Sequence, residues 1–353
     1  MRIVVVGSGL AGVTVAEALA KSARHAVTLV TTETHGYYSR PRLSHGFALT
    51  DEAAAKIVLK RFDALAPGVR VLSGTEAVGV EREKRRLALR DDRTIDYDVL
   101  ILAPGSAARI PPVLAASRPH FLTLNNLDDL LTLRRRHAKS RAGGRTPHWA
   151  VIGGGLIGCE FASDLRKAGD AVTVFHREPR LLELQLDALQ SQALHEHFMA
   201  QGIEVLYRQD VRGVFSGRVL TAEGEPGPYD GVIVSTGFAP RVELAQDAGL
   251  PVGRGIIVNE HLQTADPAIY AVGDAAEVDG KLFPFVSPIR SQALWLAEHL
   301  EGRAQGGWIP PAFEPVIKVH GFKPPSGSSA GPAPGPSRSG RDAPAAAAGP
   351  AGR

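Results

Sequence analysis

Two glycine-rich turns of the same design divide this chain. They are Gly7-Ser8-Gly9-Leu10-Ala11-Gly12 and Gly153-Gly154-Gly155-Leu156-Ile157-Gly158, with 146 positions between Gly7 and Gly153. Each follows a short apolar run, Ile3 to Val6 and Trp149 to Ile152, and each opens a stretch of helical character. Ala16 and Ala162 stand four residues after the last glycine of each turn, where a small side chain lets helix and strand pack closely. The glycines permit a tight turn and close approach of backbone to a pyrophosphate. The helix that follows aims amide donors and a partial positive charge at that anion. One such turn is weak evidence, because tight glycine turns also serve packing alone. Two, both in strand–turn–helix context, predict two dinucleotide sites and electron traffic between two nucleotide cofactors.

The repeat runs past the glycines. His25-Ala26-Val27-Thr28-Leu29-Val30 resembles Asp170-Ala171-Val172-Thr173-Val174-Phe175, each a second strand after a helix of similar length. Third strands are predicted at Tyr97 to Ala103, ending in Pro104-Gly105, and at Gly231 to Ser235, ending in Thr236-Gly237. Both are apolar runs closed by a small-residue turn, as buried parallel strands are. Ala268 to Val272 reads as a further strand capped by Gly273-Asp274, and Ser287 to Leu300 as a helix. The fold class is therefore α/β. From residue 323 to 353 the chain is mostly Pro, Gly, Ser and Ala without periodicity, which predicts a low-complexity disordered tail.

Charge and cysteine content narrow the function. The sequence pI is about 9.0, yet the residues before Lys318 carry 35 basic against 36 acidic side chains, so the globular part is near neutral. Runs such as Arg134-Arg135-Arg136 and Glu81 to Arg86 read as solvated faces. No basic–aromatic interleaving points to nucleic acid. No apolar run approaches the ~18 residues of a membrane span, and no signal-peptide cleavage site follows the N-terminal strand, so a cytoplasmic protein is expected. Cys159 is the only cysteine. That excludes an intrachain disulfide, a Cys-x-x-Cys redox pair and a cysteine-rich metal site, and no metal ligand set is expected. In the first turn after the second glycine motif, Cys159 suits buried packing better than reactivity.

Candidate ligand-binding residues follow from position. An acid at the end of the second strand commonly holds the adenosine ribose hydroxyls. In the first unit that acid is Glu33, 21 residues past Gly12; a solvated loop glutamate is the alternative. The second unit carries His176 and Arg177 there, with no acid until Glu178. A cation at this place could meet a 2′-phosphate and favour NADPH, or Arg177 could be a surface residue. Asp274, at the C-terminal edge of a strand beside the first glycine turn, can accept hydrogen bonds from a sugar-alcohol chain such as flavin's ribityl.

With those residues in place the sequence resembles a known group. Tyr38-Ser39-Arg40-Pro41-Arg42-Leu43-Ser44, Gly155 to Ala162 and Thr264 to Asp274 are similar to FAD-dependent rubredoxin reductases. These belong to the pyridine-nucleotide-disulphide oxidoreductase superfamily, with the ferredoxin reductases of oxygenase systems. The resemblance covers about residues 1 to 318. It implies two nested Rossmann-like domains of the FAD/NAD(P)-linked reductase type. The FAD domain would be discontinuous (1–110 and 238–310), enclose an NAD(P)H domain (111–237), and be followed by a remnant of a C-terminal domain (311–322). It implies FAD held by Gly7, Gly9, Gly12, Glu33, Arg40, Pro41, Gly105, Gly273 and Asp274, with Ser287 and Ile289 opening a helix toward the ring. It implies NAD(P)H held by Gly153, Gly155, Gly158 and Gly237, beside the His176 and Arg177 that position suggests. Glu160 would stand near the meeting point of nicotinamide and flavin as the catalytic residue. Electrons would leave for rubredoxin or a ferredoxin-like protein.

Two departures from the group matter. Peroxidase and oxidase relatives carry a redox cysteine near the place of Ser44, and disulfide reductases carry a pair; this chain has neither. Relatives also continue into a compact third domain, of which only Phe313 to Val319 reads as a first strand here. A flavin-binding protein with impaired reductase activity is thus an alternative expectation.

Overall fold

The computed structural model describes residues 1–326, so the tail predicted from 323 onward lies almost wholly outside the described residues. Two parallel sheets form the frame. In the first, Ile269–Ala271, Val99–Leu102, Arg2–Val6, Ala26–Val30 and Val69–Leu72 lie side by side in that order, all parallel. In the second the order is Ile203–Leu206, Ala171–Phe175, His148–Ile152 and Gly231–Val234, again parallel. Apart from the partly exposed edges Val69–Leu72 and Ile203–Leu206, the strands are mostly Val, Ile, Leu and Ala because both faces are covered. In each sheet the strand before the glycine turn sits between its second and third strands, so the turn emerges at the C-terminal edge where the chain direction switches.

The internal repeat holds bond by bond. Gly7 N donates to Val30 O at 2.8 Å and Gly153 N to Phe175 O at 2.8 Å. Ala103 N meets Val6 O, and Ser235 N meets Ile152 O, both at 2.8 Å. Helices Leu10–Ala20 and Leu156–Lys167 follow, with Ala16 and Ala162 fully buried against their strands. Helix Val286–Leu300 packs along Leu10–Ala20 and starts one residue earlier than the sequence suggests. Among the described residues no helix is long and apolar enough to cross a membrane.

Two connections tie the units together. Ser106–Ala108 leaves the first unit and pairs antiparallel with Phe238–Pro240, which returns from the second. Between them, helix Leu127–Arg141 starts at an Asn126 cap whose side chain accepts from Asp129 N. An antiparallel three-stranded meander, Ala77–Glu81, Arg86–Leu89 and Thr94–Asp96, completes the first unit.

Three readings of the sequence need correction. Arg134 is not a solvated side chain. Its guanidinium donates to Gly46 O at 2.7 Å, Phe47 O at 3.2 Å and Leu49 O at 2.7 Å, and pairs with Asp51. A fork of donors closing orphan carbonyls of a loop is invisible in a run of three arginines. Within Glu81 to Arg86, Arg82 is likewise engaged, pairing with Asp266 at 2.9 Å. Nor does Phe313 to Val319 form a strand: among the described residues no strand pairs with it. It runs as a strap whose polar groups are met by side chains. His45 Nε2 donates to Lys318 O at 2.5 Å, and His320 N donates to Ser163 Oγ at 3.0 Å. Val319 and Phe322 are buried in the core of the second unit.

Candidate active site

The first glycine turn, and Leu156 and Ile157 of the second, open on one cavity of about 2170 Å³. That is roughly twice the upper end of the ~300–1,000 Å³ common for a single small-molecule site. Its walls hold Gly7, Gly9, Glu33, Arg40, Pro41, Gly105, Gly273, Asp274, Ser287 and Ile289 from the first unit. Glu160, Gly237, Leu156 and Ile157 come from the second unit and its return, so the cavity lies between the units. Gly12, Gly153, Gly155 and Gly158 stand in the turns themselves, away from its lining.

The glycines divide by what a side chain would meet. A Cβ on Gly12 would fall 1.8 Å from Gly7 O, and one on Gly158 would fall 1.9 Å from Gly153 O. Those two glycines are demanded by helix–strand contact. Gly7 and Gly153 have φ of 105° and 112° and would press on Ala103 O and Ser235 O at 2.1 and 2.2 Å. Gly9 and Gly155 are different. A Cβ on either meets nothing within 4 Å, and both have ordinary negative φ. Nothing in the protein requires glycine there; the open space at the helix N-terminus does. This is a cradle suited to the pyrophosphate of a dinucleotide.

Around the first turn, Glu33 Oε1 accepts from Tyr38 OH at 2.6 Å and lies 3.5 Å from Arg40 Nη2. Tyr38 OH also accepts from Leu127 N, so one phenol joins the Arg40–His45 turn to helix Leu127–Arg141. Asp274 is half-buried on the cavity wall, and its one hydrogen bond among the described residues comes from Ser106 Oγ at 2.7 Å. Burial pushes its carboxyl above the usual range, partly opposed by Ser106 and Arg40. A carboxylate so short of donors has capacity for hydroxyls of a ligand. Gln292, fully buried in helix Val286–Leu300, accepts from Gly273 N at 2.7 Å and fixes the turn that carries Asp274.

Glu160 sits in the first turns of the second glycine helix and is buried. Its Oε2 accepts from Ser44 Oγ at 2.6 Å and from Lys318 Nζ at 2.8 Å. Lys318 also donates to Pro41 O at 2.7 Å. One carboxylate thus joins the second unit, the Arg40–His45 turn of the first, and the C-terminal strap. Lys318 was not singled out in the sequence, where it is one of five basic residues before or within a low-complexity tail. Only the strap's course brings it to Glu160.

In the second unit His176 turns inward. Its Nδ1 accepts from Gly154 N at 3.0 Å, and its Nε2 lies 2.9 Å from Arg180 O. The imidazole fills the space over Gly154, where a Cβ would approach His176 Cγ to 2.8 Å. Arg177 is the reverse: 82% of its side chain is exposed, and it pairs with Glu178 at 3.1 Å.

Cys159 is fully buried and its Sγ–H donates to Gly154 O at 3.2 Å. Burial pushes the thiol far above its ordinary range, so it carries no thiolate at neutral pH. Cys159→Ser keeps a donor for Gly154 O and should leave nucleotide-dependent chemistry within a few-fold of wild type. The expected cost is roughly 0.5–3 kcal/mol of stability. Loss of electron delivery in a variant that still melts like wild type would show that the thiol takes part.

Comparison with known proteins accords with this geometry. The profile of pyridine nucleotide-disulphide oxidoreductases matches residues 1–295. The chain belongs to that family. The chain is 31% identical over 324 residues to the nitric oxide reductase FlRd-NAD(+) reductase of Vibrio vulnificus, covering 90% of this chain and 82% of that protein. It is similar to the reductase of the covalent putidaredoxin reductase–putidaredoxin complex, with a TM-score of 0.78 and 31% identity over 88% of this chain and 76% of that one. The ferredoxin reductase for the CYP199A2 system from Rhodopseudomonas palustris is similar too, with a TM-score of 0.77, 30% identity, and 88% and 77% coverage. This is a flavoprotein oxidoreductase whose cofactors are FAD and NAD(P)H. The open cradles at Gly9 and Gly155 and the donor-poor Asp274 fit these groups.

Proposed function

We propose that this family member is a cytoplasmic reductase that takes electrons from NAD(P)H through FAD to a separate small redox protein, rubredoxin first. The observation that carries the reading is the meeting of the two units on Glu160, bonded at 2.6 Å to Ser44 of the Arg40–His45 turn within the shared cavity. When bound, FAD supplies hydride acceptance and one-electron release. The chain's part is position and charge. Gly7, Gly9, Gly12 and the helix after them hold the pyrophosphate; Glu33 and Asp274 take hydroxyls; Arg40 and Pro41 border the flavin. Ser287, in the first turn of helix Val286–Leu300, sets its amide near the ring, where a helix N-terminus favours negative charge; Ile289 lines the cavity, but its amide donates to Phe285 O at 3.0 Å. Gly153, Gly155, Gly158, Arg177 and Gly237 hold the nicotinamide nucleotide, His176 fastens the second turn from inside through Gly154 N, and Glu160, oriented by Ser44 and Lys318, borders the reacting ends.

With one buried cysteine, no intrachain dithiol can relay electrons, which supports an external acceptor. A ferredoxin-type acceptor is the second reading, favoured by the likeness to the two reductases above. Purified protein should carry FAD at about one per chain and bleach on mixing with NAD(P)H. Turnover should then be seen with rubredoxin and not ferredoxin. The reverse preference moves the assignment, and bleaching with neither acceptor supported would favour an impaired reductase.

Nucleotide choice has its own test. The Vibrio relative's name carries NAD(+), while Arg177 is an exposed cation at the ribose end. If Arg177 meets a 2′-phosphate, Arg177→Glu should lower kcat/KM for NADPH about tenfold in flavin reduction and spare NADH. Equal values for both nucleotides, unchanged in the variant, would leave Arg177 as a surface residue.

A further inference from the structure

We propose that Arg241, together with Arg40, forms a two-guanidinium clamp on the FAD pyrophosphate, an inference that rests on the FAD assignment above. Arg241 follows the return strand Phe238–Pro240, whose pairing sets Pro240 opposite Ser106. That register delivers Arg241 to the turn at the end of the first unit's third strand. Its N–H donates to Gly105 O at 3.0 Å, and its Nη1 donates to Pro104 O at 3.3 Å. Arg40 reaches the same turn: a Cβ on Gly105 would lie 4.0 Å from Arg40 Nη1. Both arginines line the same cavity as Gly7 and Gly9, and Pro104, which Arg241 holds through its carbonyl, adjoins Gly7, where a Cβ would lie 3.4 Å from Pro104 Cα.

The charges around this pair do not balance it. Glu33, the acid nearest Arg40, stands 3.5 Å away and shares the same oxygen with Tyr38 OH. Arg241 makes no ion pair within 4 Å among the described residues, and Glu243 and Glu33 act on it only at longer range. Burial and the charge of Arg40 both hold its guanidinium below the ordinary arginine value. Guanidinium carries five N–H donors, and Pro104 O uses one from Arg241. Two like charges with spare donors, held together in a half-buried wall, are stabilised by an anion entering between them. A pyrophosphate offers two phosphates to two forks. The alternative is that Arg241 only fastens the Pro104 carbonyl of the crossover.

Flavin fluorescence separates these roles, because FAD carries the same ring and ribityl chain as riboflavin and adds the pyrophosphate with its adenosine. Apoprotein of the full chain is titrated with each, as wild type, Arg241→Met and Arg241→Lys. Arg241→Met should raise the Kd for FAD about 10- to 100-fold and leave riboflavin binding within twofold. Arg241→Lys should recover part of the loss, and the salt dependence of FAD binding should fall in the Met variant. The thermal midpoint of apo Arg241→Met should equal or exceed wild type, since the repulsion from Arg40 is removed. Unchanged FAD affinity overturns the clamp. So does an equal weakening of riboflavin and FAD with a lowered apo melting point, which is the signature of a structural arginine. A wild type that binds neither flavin would instead overturn the FAD assignment itself.

Discussion

Gly9→Ala should give a protein that folds normally and binds FAD poorly, whereas Gly12→Ala should give one that struggles to fold at all. The two glycines are three residues apart in the same motif, yet their surroundings are opposite. A methyl on Gly12 would overlap Gly7 O at 1.8 Å, in backbone that the sheet and helix hold on both sides. Overpacking of that kind costs about 1–3 kcal/mol where neighbours can move, and here both contacting atoms are main chain. The apo melting point of Gly12→Ala should therefore fall by several degrees at least. At Gly9 the added methyl meets no protein atom, and φ −71°, ψ −173° is accessible to alanine. The apo form should be as stable as wild type or gain about 0.4–1 kcal/mol from reduced unfolded-state freedom. The methyl occupies the cradle, so the FAD Kd should rise about 5- to 150-fold, the equivalent of 1–3 kcal/mol of overpacking. Calorimetry of the apoproteins with fluorescence titration reads both quantities. Identical behaviour of the two variants would mean that the space beside Gly9 is not a ligand site.

Asp274→Asn should likewise separate folding from binding. The carboxyl is half-buried with Ser106 as its one donor among the described residues, and desolvation raises its pKa, so its ionised form is held at a cost. Removing the charge should leave the apoprotein at pH 7 as stable as wild type or more so. Affinity for FAD should fall about 10- to 100-fold, because charge-assisted bonds of roughly 1.5–3 kcal/mol each are lost. The pH dependence has a definite sign. Between the ordinary value near 3.8 and its raised folded value, the folded state keeps a proton that the unfolded state has released. This group therefore adds stability as pH falls through that window, opposite to a salt-bridged carboxylate. The Asn variant should lack that contribution. A steep loss of apo stability at pH 7 in Asp274→Asn would show that the ionised carboxylate props the fold.

Much of the frame was legible because parallel strands and glycine turns are local. Ile3 to Val6 and Trp149 to Ile152 announce buried strands by composition, and the turns after them repeat to the residue. The antiparallel meander and the Val69–Leu72 edge strand went unread, since their half-exposed residues carry no continuous apolar run. Arg134 was misread for a related reason: its partners are carbonyls of residues 46 to 49, more than eighty positions away. Phe313 to Val319 has strand composition without a strand's neighbour.

What the sequence by itself determined, then, is the pair of cradles: two turns in which Gly9 and Gly155 leave open space at a helix N-terminus, and one cysteine that cannot pair with another. The direction in which each side chain is used was left to tertiary structure. His176 and Arg177 are adjacent in the chain, but the sheet turns one into the core over Gly154 and the other to solvent. Glu160, Ser44 and Lys318 are separated by more than one hundred residues at each step, and only the packing of two units and a strap brings them within 3.4 Å of one another. Arg241 reaches Gly105 through the register of a three-residue strand pair. Local spacing encodes the turn, because a turn closes over a few bonds. The charge around it is assembled from segments whose distances in the chain carry no signal until the chain has folded.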